Sequence, residues 1–112
     1  MIIKLFDYLD DNGIEVYFIG QKKGQCLTNY VVLKDSGTIP TVNNDLGIQV
    51  IDLYCYVPQG KYTETESYKK KIKEIMKGFN SLRSTGTETP PVAEDDIKAF
   101  SFSIEYQNQK TL

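Results

Sequence analysis

The sequence of 112 residues predicts one α+β domain, residues 1–112, in the order α-β-β-β-α-β, with a mostly antiparallel four-stranded sheet and two helices packed on one face. Three stretches carry that prediction. "LGIQVIDLYCYVP" and "IKAFSFSIEYQNQ" alternate with the period of two that marks strands. "TETESYKKKIKEIMKGFNSL" repeats apolar residues at intervals of three and four, the mark of an amphipathic helix.

The elements follow in chain order. Ile2, Ile3, Leu5, Phe6 and Leu9 cluster at helical spacing, and Gly13 stands where a C-terminal cap belongs, so residues 2–11 read as a short helix. "IEVYFIGQ" reads as a strand with Val16, Phe18 and Gly20 on one face. "KKGQ" supplies turn residues and "CLTNYVVLK" a second strand, so the two read as an antiparallel hairpin. Residues 35–45 are Ser-, Gly-, Thr-, Pro-, Asn- and Asp-rich and read as a long polar loop, longer than most hairpin connections.

The third strand carries two apolar faces. Gln49, Ile51, Leu53, Cys55 and Val57 form the more apolar set and should face the core. Ile48, Val50, Asp52, Tyr54 and Tyr56 should face a partly covered surface. Pro58 and Gly60 end the strand. In the second helix Thr63 or Thr65 serves as the cap, Glu64 and Glu66 suit the positive end of the dipole, and Tyr68, Ile72, Ile75, Met76, Phe79 and Leu82 form the stripe. Residues 83–95 read as a second polar loop, with Pro90-Pro91 forcing extended backbone. The last strand should turn Phe100, Phe102, Ile104 and Tyr106 inward and Ser101, Ser103 and Glu105 outward.

Bulk composition narrows the function classes. A 40% apolar, 25% charged chain with net charge −2 is ordinary for a globular protein and gives no electrostatic reason for general nucleic-acid or membrane binding. No run approaches the roughly 20 apolar residues of a membrane span. Lys4, Asp7 and Asp10 interrupt the N-terminal apolar segment, so no secretory signal is expected. Two cysteines make no disulfide framework, which fits a reducing cytoplasm. The chain has 8 Tyr, whose broad contact area and polar tip suit surfaces buried on assembly, although half-buried strands favour aromatics in any case.

A search for chemistry finds none. The chain has no His, so the usual acid–base residue, the partner of a Ser or Cys nucleophile and the commonest metal ligand are missing. Cys26 and Cys55, each placed within a strand, read as small buried apolar residues rather than nucleophiles. Asp10-Asp11 and Asp95-Asp96 read as exposed turn residues rather than a catalytic pair held across a cleft. "DSGT" and "STGTET" lack the lysine of a phosphate loop, and "NNDLG" has too few acidic ligands for a calcium loop. Lys69, Lys70, Lys71 and Lys73 lie opposite the apolar stripe, where a solvated helix face normally carries such residues. An enzyme activity and a cofactor are therefore not expected.

Together, "DDNGIEVYFIG", "YVVLKDSGT", "IDLYCYVP", "YKKKIKEIMKGF" and "AFSFSIEYQNQK" resemble the tail-terminator or tail-completion proteins of long-tailed bacteriophages and prophages, also called minor capsid or head–tail joining proteins. The likeness covers nearly the whole chain in element order through short, non-catalytic motifs. It implies a homohexameric ring that caps the tail tube, ends its polymerisation and joins the tail to the head. The implied partners are further copies of the chain, the major tail tube protein and the head–tail connector protein, with no membrane and no specific nucleic acid. The implied place is the tail or neck of the virion, after assembly in the bacterial cytoplasm. A connector protein of the neck would read much the same, and a small ligand-binding domain with a site between sheet and second helix is the alternative of another class.

A ring needs two different patches per subunit. The candidate assembly residues are Lys34, Asp35, Ile39, Pro40 and Val42 on the first loop and its approach, Asp52, Tyr54 and Tyr56 on the third strand, and Pro90 and Pro91 on the second loop.

Overall fold

The computed structural model describes residues 1–40 and 46–111, with backbone alone for 109–111. The fold is α+β, with two helices and six strands: α1 (Ile2–Asp11), β1 (Val16–Phe18), β2 (Tyr30–Pro40), β3 (Leu46–Pro58), α2 (Glu64–Met76), β4 (Arg83–Glu88), β5 (Val92–Glu94) and β6 (Ala99–Thr111). The strands form one sheet in the order β1-β2-β3-β6-β4, and β5 pairs with β6. The sheet is thus six-stranded and mixed rather than four-stranded.

The sheet's centre is β3, paired antiparallel with β6 from Pro58↔Ala99 to Leu46↔Thr111 and with β2 from Tyr30↔Tyr56 to Pro40↔Gly47. Its alternation is as expected: Gln49, Ile51, Leu53, Cys55 and Val57 are buried, while Ile48, Val50, Asp52, Tyr54 and Tyr56 are half-buried. Both helices pack on the first of these faces. Leu5 and Leu9 of α1 and Tyr68, Ile72 and Met76 of α2 join Val31, Leu33, Ile51, Leu53, Phe102, Ile104 and Tyr106 in one core. Fully burying each aliphatic side chain contributes roughly 1.5–3 kcal/mol, so this layer supplies most of the drive to fold. Asn12 caps α1 at its C-terminal end, and Gly13, at φ +78°, makes the left-handed step out of it, its N–H bonding the carbonyl of Asp10 at 3.0 Å.

Three expectations need correction. First, β1 and β2 are parallel, not a hairpin, with Val16 opposite Val31 and Phe18 opposite Leu33. The connection 19–29 carries the chain back along the sheet and is pinned by Cys26, whose N–H bonds the carbonyl of Ile97 at 2.7 Å. Cys26 therefore lies ahead of β2 and not within it, buried with Tyr30 and Ala99 in a small cluster on the side away from the helices. Turn residues at 22–25 marked a change of direction, but the buried partners of Cys26 and Tyr30, not the turn, chose the strand orientation.

Second, the expected loop of residues 35–45 is strand as far as Pro40; residues 41–45 lie outside the described residues. Asp, Ser, Gly and Pro disfavour strands on their own, yet β3 offers a long template whose backbone groups need partners. The polar triplet is absorbed as a bulge at Asp35/Gly37. Gly37 takes φ +98°, which its missing Cβ allows, and the Asp35 carboxylate accepts its N–H at 2.9 Å.

Third, the expected loop of residues 83–95 contains β4 and β5. Its hydroxyls complete the pairing where the ladder breaks. Thr89 Oγ1 accepts the Ser103 N–H at 2.8 Å, and the Thr89 N–H bonds the Ser103 carbonyl at 3.0 Å. Ser101 faces outward as expected, on the face of Tyr56 opposite it, yet is buried there, its hydroxyl donating to Glu94 of the neighbouring β5 at 2.9 Å.

The molecule measures 47 × 25 × 25 Å. A strand of 13 residues such as β3 or β6 extends about 43 Å, which accounts for the long axis. The 13-residue α2 spans about 20 Å. The sheet therefore outruns its helical layer: among the described residues the apolar core ends on β3 at Ile51, and on the same face Gln49 donates to Asp35 at 3.0 Å.

Candidate assembly interface

Three surfaces are built by this arrangement. The first is the sheet overhang, where β2 continues past its last pairing with β1 at Leu33. From Lys34 to Pro40 that edge has no strand partner among the described residues. Asp35, Ile39 and Pro40 are exposed there, Ile39 by 60%, while Lys34 is half-buried. A strand edge of this kind presents a row of backbone donors and acceptors, and the charges, bulge and proline limit what can pair with it. Val42 lies outside the described residues.

The second surface is the helix-free face. Asp52, Tyr54 and Tyr56 all point to it, in line with Lys34 opposite Asp52 and Tyr30 opposite Tyr56. The alternative of a pocket between sheet and α2 lined by these three residues is therefore corrected: strand alternation turns them to the opposite side. Tyr56 stacks on Tyr30 at 4.8 Å between ring centroids, and Tyr17 meets Tyr30 edge-on at 5.6 Å. Burial raises the Tyr30 and Tyr56 hydroxyls above the ordinary tyrosine range, so both remain protonated donors. The Ser36 hydroxyl donates to Asp52 and joins this face to the bulge. Cross-strand from Asp52 lies Glu105, a like-charged pair that offers a basic partner something to neutralise.

The third surface lies on the other side of the sheet, where Pro90 and Pro91 sit. They do not join the Tyr54–Tyr56 face. Instead, with Tyr62, they line a groove of about 970 Å³ along α2, whose other wall carries Lys70, Lys73 and Lys77. Glu88 of β4 reaches into it, bonding Lys73 and lying 3.5 Å from Lys69. The Lys73 ammonium holds the Glu88 carboxyl below its ordinary range. Lys69 also lies over the Phe102 ring at 5.2 Å. Of Lys69, Lys70, Lys71 and Lys73, expected on a solvated helix face, Lys69 and Lys73 are thus held by a carboxylate.

The candidate residues thus divide between two sides of the molecule. The lining of the groove by α2 was not legible beforehand, because it depends on residues 83–88 forming an edge strand beside the helix. Among the described residues no cluster of three or more His, Cys, Asp or Glu is placed to hold a metal ion, and no helix is long and apolar enough to cross a membrane. Both cysteines are free and buried, and burial raises both thiols.

The geometry defines an α+β protein with a one-sided helical layer, an overhanging sheet edge and a tyrosine-rich open face. Comparison with known proteins finds no matching family model and no matching curated relative.

Proposed function

We propose that this chain is a structural assembly protein of the phage-tail type. As a ring of six copies it caps the tail tube, ends its polymerisation and joins the tail to the head connector, within the tail or neck of a virion. The observation that carries the reading is the overhang. A sheet that outruns its helices leaves a strand edge, Lys34 to Pro40, without a strand partner among the described residues, which is costly for a lone monomer and useful for a subunit that docks. The likeness of "YVVLKDSGT" and "AFSFSIEYQNQK" to tail terminators supports the same reading and supplies its particulars. A neck connector protein would use the same surfaces.

The test is the mass of the protein by light scattering, alone and with tail tube protein. Assembly in either condition is expected. A strict monomer that never associates with tube protein would sink the proposal. Ile39→Asp, at an exposed position, should leave the isolated domain folded, with a stability change within about 0.5 kcal/mol, and weaken assembly. Unfolding of the Ile39→Asp monomer would instead make the overhang part of the core.

A further inference from the structure

Past Met76 the chain turns off α2 and enters β4 at Arg83. The turn folds its apolar side chains back on the core, with Met76 and Leu82 buried and Phe79 half-buried. Between this turn and strands β4 and β6 lies a hollow of about 490 Å³ that adjoins the α2 groove and shares Lys73 and Lys77 with it. Met76, Phe79 and Leu82 form its apolar side. Its polar side adds Asn80, Arg83, Ser84 and Tyr106 to the two lysines.

Tyr106 is the most buried polar residue of that lining. It is 4% exposed, its ring packs in the core, and Ser84 stands opposite it on β4. Its hydroxyl has no hydrogen-bond partner among the described residues. Unlike the Tyr68 hydroxyl it is not sealed in, and it opens into the hollow. Burial raises its pKa to about 12, so at neutral pH it is a donor without an acceptor. The charges around it are unequal in availability. Lys73 is bound to Glu88, and Lys77 to Glu74 at 3.1 Å. Arg83 is exposed and forms no ion pair among the described residues. No carboxylate is among the described residues lining the hollow. The Ser84 hydroxyl accepts the Gly86 N–H at 3.1 Å, which leaves its own proton to donate. Carbonyls at the end of a helix repel anions, but those of Lys73, Ile75 and Met76 already accept the N–H groups of Lys77, Gly78 and Phe79.

We infer that this hollow binds a small organic acid, its single carboxylate held by Arg83 with Tyr106, Ser84 and Asn80 as donors, and its apolar body seated on Met76, Phe79 and Leu82. A guanidinium matches a carboxylate through two parallel hydrogen bonds. One unpaired cation suits one negative charge, whereas a doubly charged phosphate would keep a charge without a partner. The volume of about 490 Å³ lies in the range of small-ligand sites, which combine apolar walls with a few convergent polar groups. One copy of the chain supplies every group, so the site does not depend on ring assembly.

Benzoate and hexanoate are the probes, with benzamide as the neutral control. Backbone amide signals of the isotope-labelled full chain are followed by NMR as each is added at constant ionic strength. At least one acid should shift residues 76–84 and 104–107 saturably, with a Kd in the millimolar range expected of a ligand of about ten heavy atoms. Arg83→Gln, at an exposed position, should weaken that binding about tenfold. Tyr106→Phe keeps the ring in the core and should weaken it roughly three- to tenfold. Benzamide should bind at least about tenfold more weakly than benzoate. The site is overturned if neither acid gives saturable shifts at these residues, if benzamide binds as well as benzoate, or if Arg83→Gln and Tyr106→Phe bind as wild type does.

Discussion

The hydroxyl of Tyr8 occupies the space in which a Cβ on Gly78 would stand. It is held there by its bond to the Ile75 carbonyl, so the seam between the helices closes only because residue 78 has no side chain. Gly78→Ala is expected to destabilise the fold by roughly 1–3 kcal/mol, the usual range for overpacking. Tyr8→Phe alone should cost about 1 kcal/mol for the lost hydrogen bond. The double variant should be more stable than the sum predicts, since removing the hydroxyl removes the clash. Urea denaturation of the four proteins measures that coupling, and strict additivity would refute the steric account.

Tyr68 presents the opposite case. Its hydroxyl is buried and has no hydrogen-bond partner among the described residues. Burial raises its pKa far above the ordinary range, so it stays neutral. An unpaired buried hydroxyl carries a desolvation cost without a compensating bond. Tyr68→Phe keeps the ring that packs in the core and should raise stability by about 1 kcal/mol. A loss of stability in thermal denaturation would mean that the hydroxyl has a partner in solution.

The pairing of Glu88 with Lys73 and Lys69 predicts a pH effect. Its folded-state pKa is lowered, chiefly by the Lys73 hydrogen bond, below the ordinary value of 4.5. A depressed carboxyl adds stability that is present above its unfolded pKa and lost as pH falls through its folded one. Glu88→Gln should thus cost roughly 0.5–1 kcal/mol at neutral pH. As pH falls below that ordinary value its stability should fall less steeply than that of wild type. Parallel acid limbs for the two proteins would show that the pairing contributes nothing.

The two thiols should differ in protection. Cys55 is fully buried on the central strand, whereas Cys26 is buried within the irregular connection 19–29, against Tyr30 and Ala99. Local opening of a connection costs less than opening the centre of a sheet. A thiol reagent at mildly alkaline pH should therefore label Cys26 first and Cys55 only on global unfolding, both far more slowly than in denaturant. Equal rates in the native protein would contradict the placement of Cys26 on an irregular segment.

Helices α1 and α2 and strand β3 were legible because periodicity over ten or more residues leaves little choice of face. Leu5 and Leu9, Tyr68 and Ile72, and Ile51 through Val57 all lie where that spacing puts them. The errors fall on polar segments. Asp35-Ser36-Gly37 and Thr85-Gly86-Thr87 read as loops by propensity, and the sheet takes them in as irregularities between paired residues, Asp35 and Gly37 on β2 and Ser84 and Glu88 on β4. Of the candidate assembly residues, Tyr54, Tyr56 and Asp52 could be assigned by alternation to the face away from the core, but the neighbours they meet there, Tyr30, Lys34 and Glu105, could not.

By itself the sequence determined the two amphipathic helices, the doubly apolar central strand and the lack of a histidine-based site, because these depend on local spacing and residue type. Only the tertiary structure decided that β1 runs parallel to β2, that polar segments join the sheet, and that the α2 lysines border a groove. Each of those depends on partners distant in the chain: Cys26 on Ile97, Asp35 on Gln49, Lys73 on Glu88. Backbone and charged groups drawn out of water must find partners wherever the fold provides them, and spacing along a chain carries no record of where that will be.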